Sequence, residues 1–453
     1  MGVVIESSVW EPNPALYIFI FLSCLASIFL FPLASNHGST SKTPALFDHG
    51  FSSSFLRFQR NFLFLFSLAS AMEGLWSVFG EFELAHYGVS REQMVLSLCV
   101  GSAAALFVGS FLGVLSDIIG PEKVCLIFCV HHLFVGIWKR IIAHPSVHVA
   151  SICLSLASSI FSFSFETWMV VQHEKQGHRQ DSMSDTFWLM TFVESASYIG
   201  SQALANWLVG DNMEKNIVSP SSAAIFLAVI SIICVTGGLR GTAQAAAFKE
   251  YRVSFYAYIL GDKRIWLLAW AQACLHFSIT VFWILWAPTL VADGREVPLG
   301  LIYPCLLGAR MLGSTVFPWL ISGPSSLRTE DCLVYSFIIM GFVLSIIAYD
   351  YQEIGVLVTL FCLFHACVGL ILPSLARLRT MYVPNELRGG MMSLSLAPAN
   401  AAILLFMIQG GYYRNIGNAA IMAFAALGLL TAAGSMHVLK RLGKQPYQNW
   451  HKL

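Results

Sequence analysis

Apolar runs of roughly 20 residues recur from one end of this chain to the other, and no polar stretch between them is long enough to fold by itself. Such a run, wound as a helix, just crosses the hydrocarbon core of a bilayer, about 30 Å thick. The first lies at about 15–33. Twelve more follow at about 61–86, 91–116, 122–142, 146–172, 186–209, 219–240, 265–290, 298–321, 331–350, 355–379, 387–411 and 416–439. Only 11% of the residues are charged, against about 25% in a soluble domain, so no polar shell can be assembled. Backbone groups in lipid must be satisfied within their own segment, which leaves an all-α polytopic membrane protein as the expected fold.

Charge sets the expected topology. Nineteen Lys and Arg fall on one set of alternating loops and six on the other, with Arg310 alone inside a run. By the positive-inside rule the nineteen face the cytosol, and with them the C-terminus. Met1 to Pro14 carries Glu6 and Glu11 but no Lys or Arg, whereas a cleavable leader needs a basic start. The first run is therefore read as a retained helix.

The expected domains are an extra N-terminal transmembrane helix (1–34), a cytosolic linker (35–60), a six-helix half (61–240), a cytosolic central loop (241–264), a second six-helix half (265–439) and a cytosolic tail (440–453). A net charge of +1 argues against nucleic acid as a partner. The eleven cysteines fall almost all inside apolar runs and read as small hydrophobes. Plasma membrane and endomembrane both remain open as the site, with membrane lipid as the surroundings, and nothing bears on oligomeric state.

Between the second and third core helices stands Gly113-Val-Leu-Ser-Asp117-Ile-Ile-Gly120-Pro-Glu-Lys123. It resembles the signature loop G-x-L-x-D-R-x-G-R-[RK] of the major facilitator superfamily, with Gly113, Asp117, Gly120 and Lys123 matching. The glycines permit close helix approach and a tight turn, and the Asp suits the N-terminus of a neighbouring helix. Twelve spans and a basic central loop fit the same family, with one helix added in front.

Phe163-Ser-Phe-Glu166-Thr-Trp168, Leu285-Trp-Ala-Pro288 with Pro298-Leu-Gly300, and Ala366-Cys-Val-Gly369 through Pro373-Ser374 narrow this further. They are similar to the molybdate-anion-transporter branch, a likeness running from about residue 50 to 400. It implies a twelve-helix transporter core whose substrate is molybdate or another oxyanion. The charged positions depart from that branch: His276 and His365 stand where it carries Glu, and Arg310 is added in the eighth core helix.

An ionisable group at mid-membrane costs roughly 3 kcal/mol even on lenient scales, so each needs a partner or a wet cavity. Glu73, Glu194, His276, Arg310 and His365 all fall near mid-span. Arg310 reads two ways: as a guanidinium fork for an anionic substrate, or as a structural ion pair with Glu73 or Glu194. Gln272 shares a helix face with His276, and these two with His365 and Arg310 form the candidate substrate-binding set. Glu73 and Glu194 are candidates for proton coupling, the alternative being neutral, hydrogen-bonded acids. Glu166 lies about two turns from the cytosolic end and suits a gate, together with Gly113, Asp117, Gly120 and Lys123.

Four core helices show polar stripes, that of the fourth being Ser155, Ser159, Ser162 and Glu166, which suggests a central aqueous path. No nucleotide-cradling loop, nucleophile with its base or metal-ligand spacing occurs, so neither an enzyme nor a cofactor is expected. The reading is a secondary transporter of a small anion working by alternating access, with protons as the candidate coupling ion. Two rivals are a carrier of a neutral or organic solute, and a sensor or assembly protein that keeps the architecture without turnover.

Overall fold

The computed structural model describes residues 13–36, 53–86, 88–142, 146–176, 180–209, 219–238, 248–291, 297–322, 327–349 and 353–443, which are helical apart from short connections. In chain order come α1 (Pro14–Asn36), α2 (Ser53–His86) and α3 (Arg91–Ala104), which continues through a π turn (Ala105–Gly109) into α4 (Ser110–Ile119). Next are α5 (Pro121–Ile141), α6 (Val147–Lys175), α7 (Gln180–Val209) and α8 (Ser219–Gly238), then a short α9 (Phe248–Phe255). The remainder is α10 (Lys263–Leu290), α11 (Leu299–Ser322), α12 (Thr329–Ala348), α13 (Ile354–Tyr382), α14 (Arg388–Ser395), α15 (Ala397–Phe406) and α16 (Asn418–Leu442). Among the described residues ten helical rods are long and apolar enough to cross a membrane.

Local chemistry sets the ends of several rods. Ser90 and Gln93 form a reciprocal capping box at the start of α3, each satisfying the other's backbone N–H at 3.3 Å. Gly120 joins α4 to α5 at φ 101°, a conformation open to glycine, and Pro121 follows at the first helical position, where its missing N–H is harmless. The rod formed by α14 and α15 breaks at Leu396, just before Pro398 in the first turn of α15.

Two of the stretches between core runs are helical in part. The first core helix begins at Ser53, inside the 35–60 stretch read as linker, because Phe55 there is buried edge-on against the His173 ring at 5.5 Å. The 241–264 loop carries α9, which docks through the buried Tyr251.

Helices α2–α8 pack chiefly among themselves, as do α10–α16, and the two groups meet along two seams. One joins α3 and α4 to α14 and α15; the other joins α7 to α11 and α13. Helix α1 lies along α11, where the Cys305 thiol donates to the Tyr17 carbonyl at 3.0 Å.

Lipid tails are as apolar as leucine, so helices in a bilayer are held by close packing across small residues rather than by escape from water. Gly313 and Gly369 make a reciprocal close crossing of this kind, between α11 and α13. A Cβ on Gly313 would lie 2.8 Å from the Ala366 carbonyl carbon, and one on Gly369 2.9 Å from that of Arg310. Gly369→Val is expected to destabilise this seam by roughly 1–3 kcal/mol, read as a lower unfolding midpoint in detergent. An unchanged midpoint would mean that the seam opens freely.

The serine stripe of α6 follows the same logic. Ser155 and Ser159 press on Gly101 and Gly109 of the α3 rod, and a Cβ on Gly109 would sit 2.9 Å from the Ser159 Cβ. Their hydroxyls have backbone-level roles too, Ser159 donating to the Ser155 carbonyl. Ser155 and Ser159 are small where the helices touch, and both keep part of their surface open, so the face serves packing as well.

Candidate functional site

The α11–α13 crossing carries Arg310 and His365 to the middle of the bundle. Arg310 lies about 17 Å along α11 from Leu299, is 6% exposed, and pairs through Nη2 with Glu194 Oε1 of α7 at 2.9 Å. This pair bridges the two groups of helices. The Arg310 Nε–H has no hydrogen-bond partner among the described residues, which leaves one donor of a buried fork unused.

His365, 1% exposed, sits one turn from the crossing between the rings of Phe282 (4.7 Å), Trp283 (4.9 Å) and Phe364 (5.6 Å). Neither ring nitrogen has a hydrogen-bond partner among the described residues. Tyr303 extends the aromatic wall, with its ring 5.5 Å from Trp283 and its hydroxyl reaching Ser77 of α2.

The second carboxylate, Glu73 of α2, meets a different base. His132 Nε2 of α5 lies 3.1 Å from Glu73 Oε1, and the His132 side chain is fully buried. Tyr198 stands within electrostatic reach of Glu73, Glu194 and Arg310, its ring backed by Gly74. The two acids thus have separate partners joined through one phenol. Of the remaining candidates, His276 pairs with Asn400 on α15, within its own group of helices. Gln272 lies elsewhere: it donates to the Met392 carbonyl at 3.3 Å and accepts from Arg379 Nη1 at 3.2 Å, so it stands with the gate candidates.

Those candidates cluster at the end of the bundle that the basic loops mark. Glu166 of α6 receives Arg379 of α13 in a two-point contact, Nε–H donating to Oε1 at 2.8 Å and Nη2–H to Oε2. Arg388, with no exposed surface, places Nη1 3.6 Å from the same carboxylate and donates Nη2–H to Asn385 Oδ1 at 3.1 Å. Nearby, Asn385 donates to Glu174 of α6 at 2.5 Å.

Asp117 accepts from the backbone N–H groups of Gly389 (2.9 Å) and Gly390 (2.7 Å) at the start of α14, and from the Tyr251 hydroxyl at 3.0 Å. A carboxylate at a helix N-terminus meets unpaired N–H groups and the positive end of the helix dipole. Burial and the adjoining Asp117 carboxylate push the Tyr251 phenol up. Gly113 lies against Gly389 and Ser393, Gly120 makes the turn into α5, and Lys123 is exposed at the start of α5.

Sequence reasoning does not single out Arg379 and Arg388. They sit at helix ends, where a cation reads as one more basic loop residue. Their equal depth with Glu166 on a facing helix is the signal that could find them. His132 escapes notice because its neighbour His131 points to another face, which excludes a shared metal site but says nothing of a partner on α2.

Residues 18–364 match a family described as sugar transporters with twelve transmembrane segments. The molybdate-anion transporter of Xenopus tropicalis is 23% identical over 390 residues, covering 83% of this chain and 84% of that protein. The Takifugu rubripes protein of the same name is 24% identical over 417 residues, covering 82% and 86%. Among solved structures, a bacterial homologue of the iron transporter ferroportin in its outward-facing state superposes with a TM-score of 0.67 at 16% identity, over 85% of this chain and all of that one. The human organic anion transporter MFSD10 (TETRAN) does so with a TM-score of 0.63 at 13% identity, over 83% and 99%.

Proposed function

The chain belongs to the major-facilitator family of twelve-helix sugar transporters, and from that premise we propose that this secondary transporter carries a small oxyanion by alternating access. The observation that carries the reading is the buried Arg310–Glu194 pair. It lies at mid-depth between the two groups of helices, it holds an unused donor, and a planar guanidinium recognises oxyanions by two parallel N–H bonds. The two six-helix halves, 61–240 and 265–439, rock about it, with α1 as the added helix along α11. The named relatives carry molybdate, which makes it the first anion to try.

The Glu166–Arg379 pair and the Asp117 latch are the gate that shuts the cytosolic side, the C-terminus lying on that side. Glu73 and Glu194 are the coupling groups of this reading, two mid-span carboxylates whose pairings with His132 and Arg310 can change as access alternates. Uptake of labelled molybdate into proteoliposomes, with and without an imposed pH gradient, tests this. Stimulation by an acidic source side is expected in the natural protein and is expected to vanish when Glu73 and Glu194 both become Gln. Unchanged stimulation in that double variant would remove the coupling assignment.

A second reading is favoured by the wall of Trp283, Trp286 and Tyr303 beside His365. Such a surface suits an organic anion whose apolar part stacks on rings while its acid meets Arg310. Competition of molybdate uptake by aromatic carboxylates but not by sulfate would select it.

A further inference from the structure

Arg388 is the largest fully buried side chain among the described residues, yet its fork is poorly served. Nη2 donates to the Arg379 carbonyl (3.3 Å) and to Asn385 Oδ1, while among the described residues Nε has no hydrogen-bond partner and Nη1 has only the Glu166 carboxylate, 3.6 Å away. A buried cation with bare donors is costly, so its charge must be offset by neighbours. The neighbours are Glu166 and Asp117, and both stand on the first group of helices. Arg379 and Arg388 stand together on the second.

That division has a consequence when the cytosolic side opens. Separation of α4 and α6 from α13 and α14 takes both carboxylates away. It leaves two guanidiniums at the mouth of the pathway, Arg388 bonded to the Arg379 backbone carbonyl and Arg379 positioned by its bond to Gln272 Oε1. Two planar forks at one point, with no ion pair to an acid of their own half among the described residues and Glu386 turned out to solvent, match a doubly charged tetrahedral oxyanion better than any neutral solute.

We infer that Arg379 and Arg388, with Gln272, form a second anion site at the cytosolic mouth, which Glu166 fills when the gate is shut and a free oxyanion fills when it opens. The inference rests on the alternating-access reading but not on Arg310 as the midplane site. The outgoing anion takes the place of Glu166, so opening exposes no unanswered pair of charges. Cytosolic oxyanions accordingly favour the open-inward form.

The test is equilibrium dialysis of labelled molybdate against the full chain in detergent without added lipid, which keeps lipid phosphate out of the assay. Arg310→Ala removes the midplane site; adding Glu166→Gln removes the gate's own anion as well. The Arg310→Ala/Glu166→Gln protein is expected to bind one molybdate per chain, about tenfold more tightly than Arg310→Ala alone, and sulfate is expected to compete.

Adding Arg388→Gln is expected to abolish that binding and Arg388→Lys to keep part of it. If Arg388→Gln does not fold, Arg379→Gln carries the same expectation. Equal binding by Arg310→Ala and Arg310→Ala/Glu166→Gln would overturn the inference, as would binding that survives loss of either arginine. Should Arg310→Ala alone bind as the natural protein does, the midplane reading fails, and the cytosolic site still stands or falls on the Glu166 comparison.

Discussion

Arg310→Ala is expected to bring anion uptake to background and to erase any stabilisation of the purified protein by molybdate. The residue has two jobs that the substitution removes together. In the proposed site its fork offers the unused Nε–H to a substrate oxygen, and its charge answers Glu194 across the seam. Side chains 8% and 17% exposed are shielded from water, so breaking such a pair leaves an uncompensated carboxylate, a loss of roughly 3–5 kcal/mol in buried sites. Loss of transport by itself therefore does not separate binding from architecture.

The double variant Arg310→Ala/Glu194→Gln does. If Arg310 only holds the halves in register, neutralising its partner relieves the buried charge and uptake returns. If Arg310 binds the substrate, the double variant is folded and remains inactive. Arg310→Lys sharpens the comparison, because a point charge can answer Glu194 but cannot present two parallel donors. It is expected to keep the unfolding midpoint and to lose most affinity for tetrahedral and carboxylate anions, read from the thermal shift.

How far these groups can be read from the chain depends on depth. Charges deep inside an apolar run announce themselves, since the membrane tolerates them only for a reason, and so Glu73, Glu194, His276, Arg310 and His365 all stand out from the amino-acid sequence alone. Pairing is less legible. A run shows where a residue lies along its helix but not which helix it faces, so Arg310 can be matched to either Glu73 or Glu194, and the α7–α11 seam decides for Glu194.

Charges near helix ends are the blind spot. Arg379 and Arg388 read as ordinary positive-inside residues, although both are withdrawn from solvent and converge on Glu166. Small residues carry a double meaning. Ser155 and Ser159 read as lining water, but serine in a membrane helix also serves wherever two backbones must approach, and here the glycines of α3 fill the other side. The capping role of Asp117 is readable because it needs only the local chemistry of a carboxylate and a helix start; its target, α14, is not.

The tightest point of that latch yields the second large effect. A Cβ on Gly113 would lie 2.5 Å from the Gly389 carbonyl carbon, and main chain cannot swing aside as a side-chain tip does. Gly113→Val is therefore expected to force α4 off α14. With it go the Asp117 bonds to Gly389 and Gly390 and the Ser393 hydroxyl's bond to the Ser110 carbonyl at 2.8 Å. Overpacking of roughly 1–3 kcal/mol falls only on the form in which these helices touch, so it acts as a population shift of about tenfold to a hundredfold toward the form open at this side.

A carrier held in one form binds but does not cycle. Uptake is expected to drop by about tenfold or more, while molybdate still shifts the unfolding midpoint through Arg310. Accessibility supplies the independent readout. The eleven native cysteines are buried or part-buried, so Ser393→Cys can be followed against the unsubstituted protein with a membrane-impermeant thiol reagent applied from the side that carries the basic loops. It is expected to react slowly in the natural background and rapidly beside Gly113→Val. Equal reactivity in both, with uptake lost, would mean that the substitution damages packing without opening the gate. The contact of Gly113 with Gly389 would then be a structural seam and not a moving one.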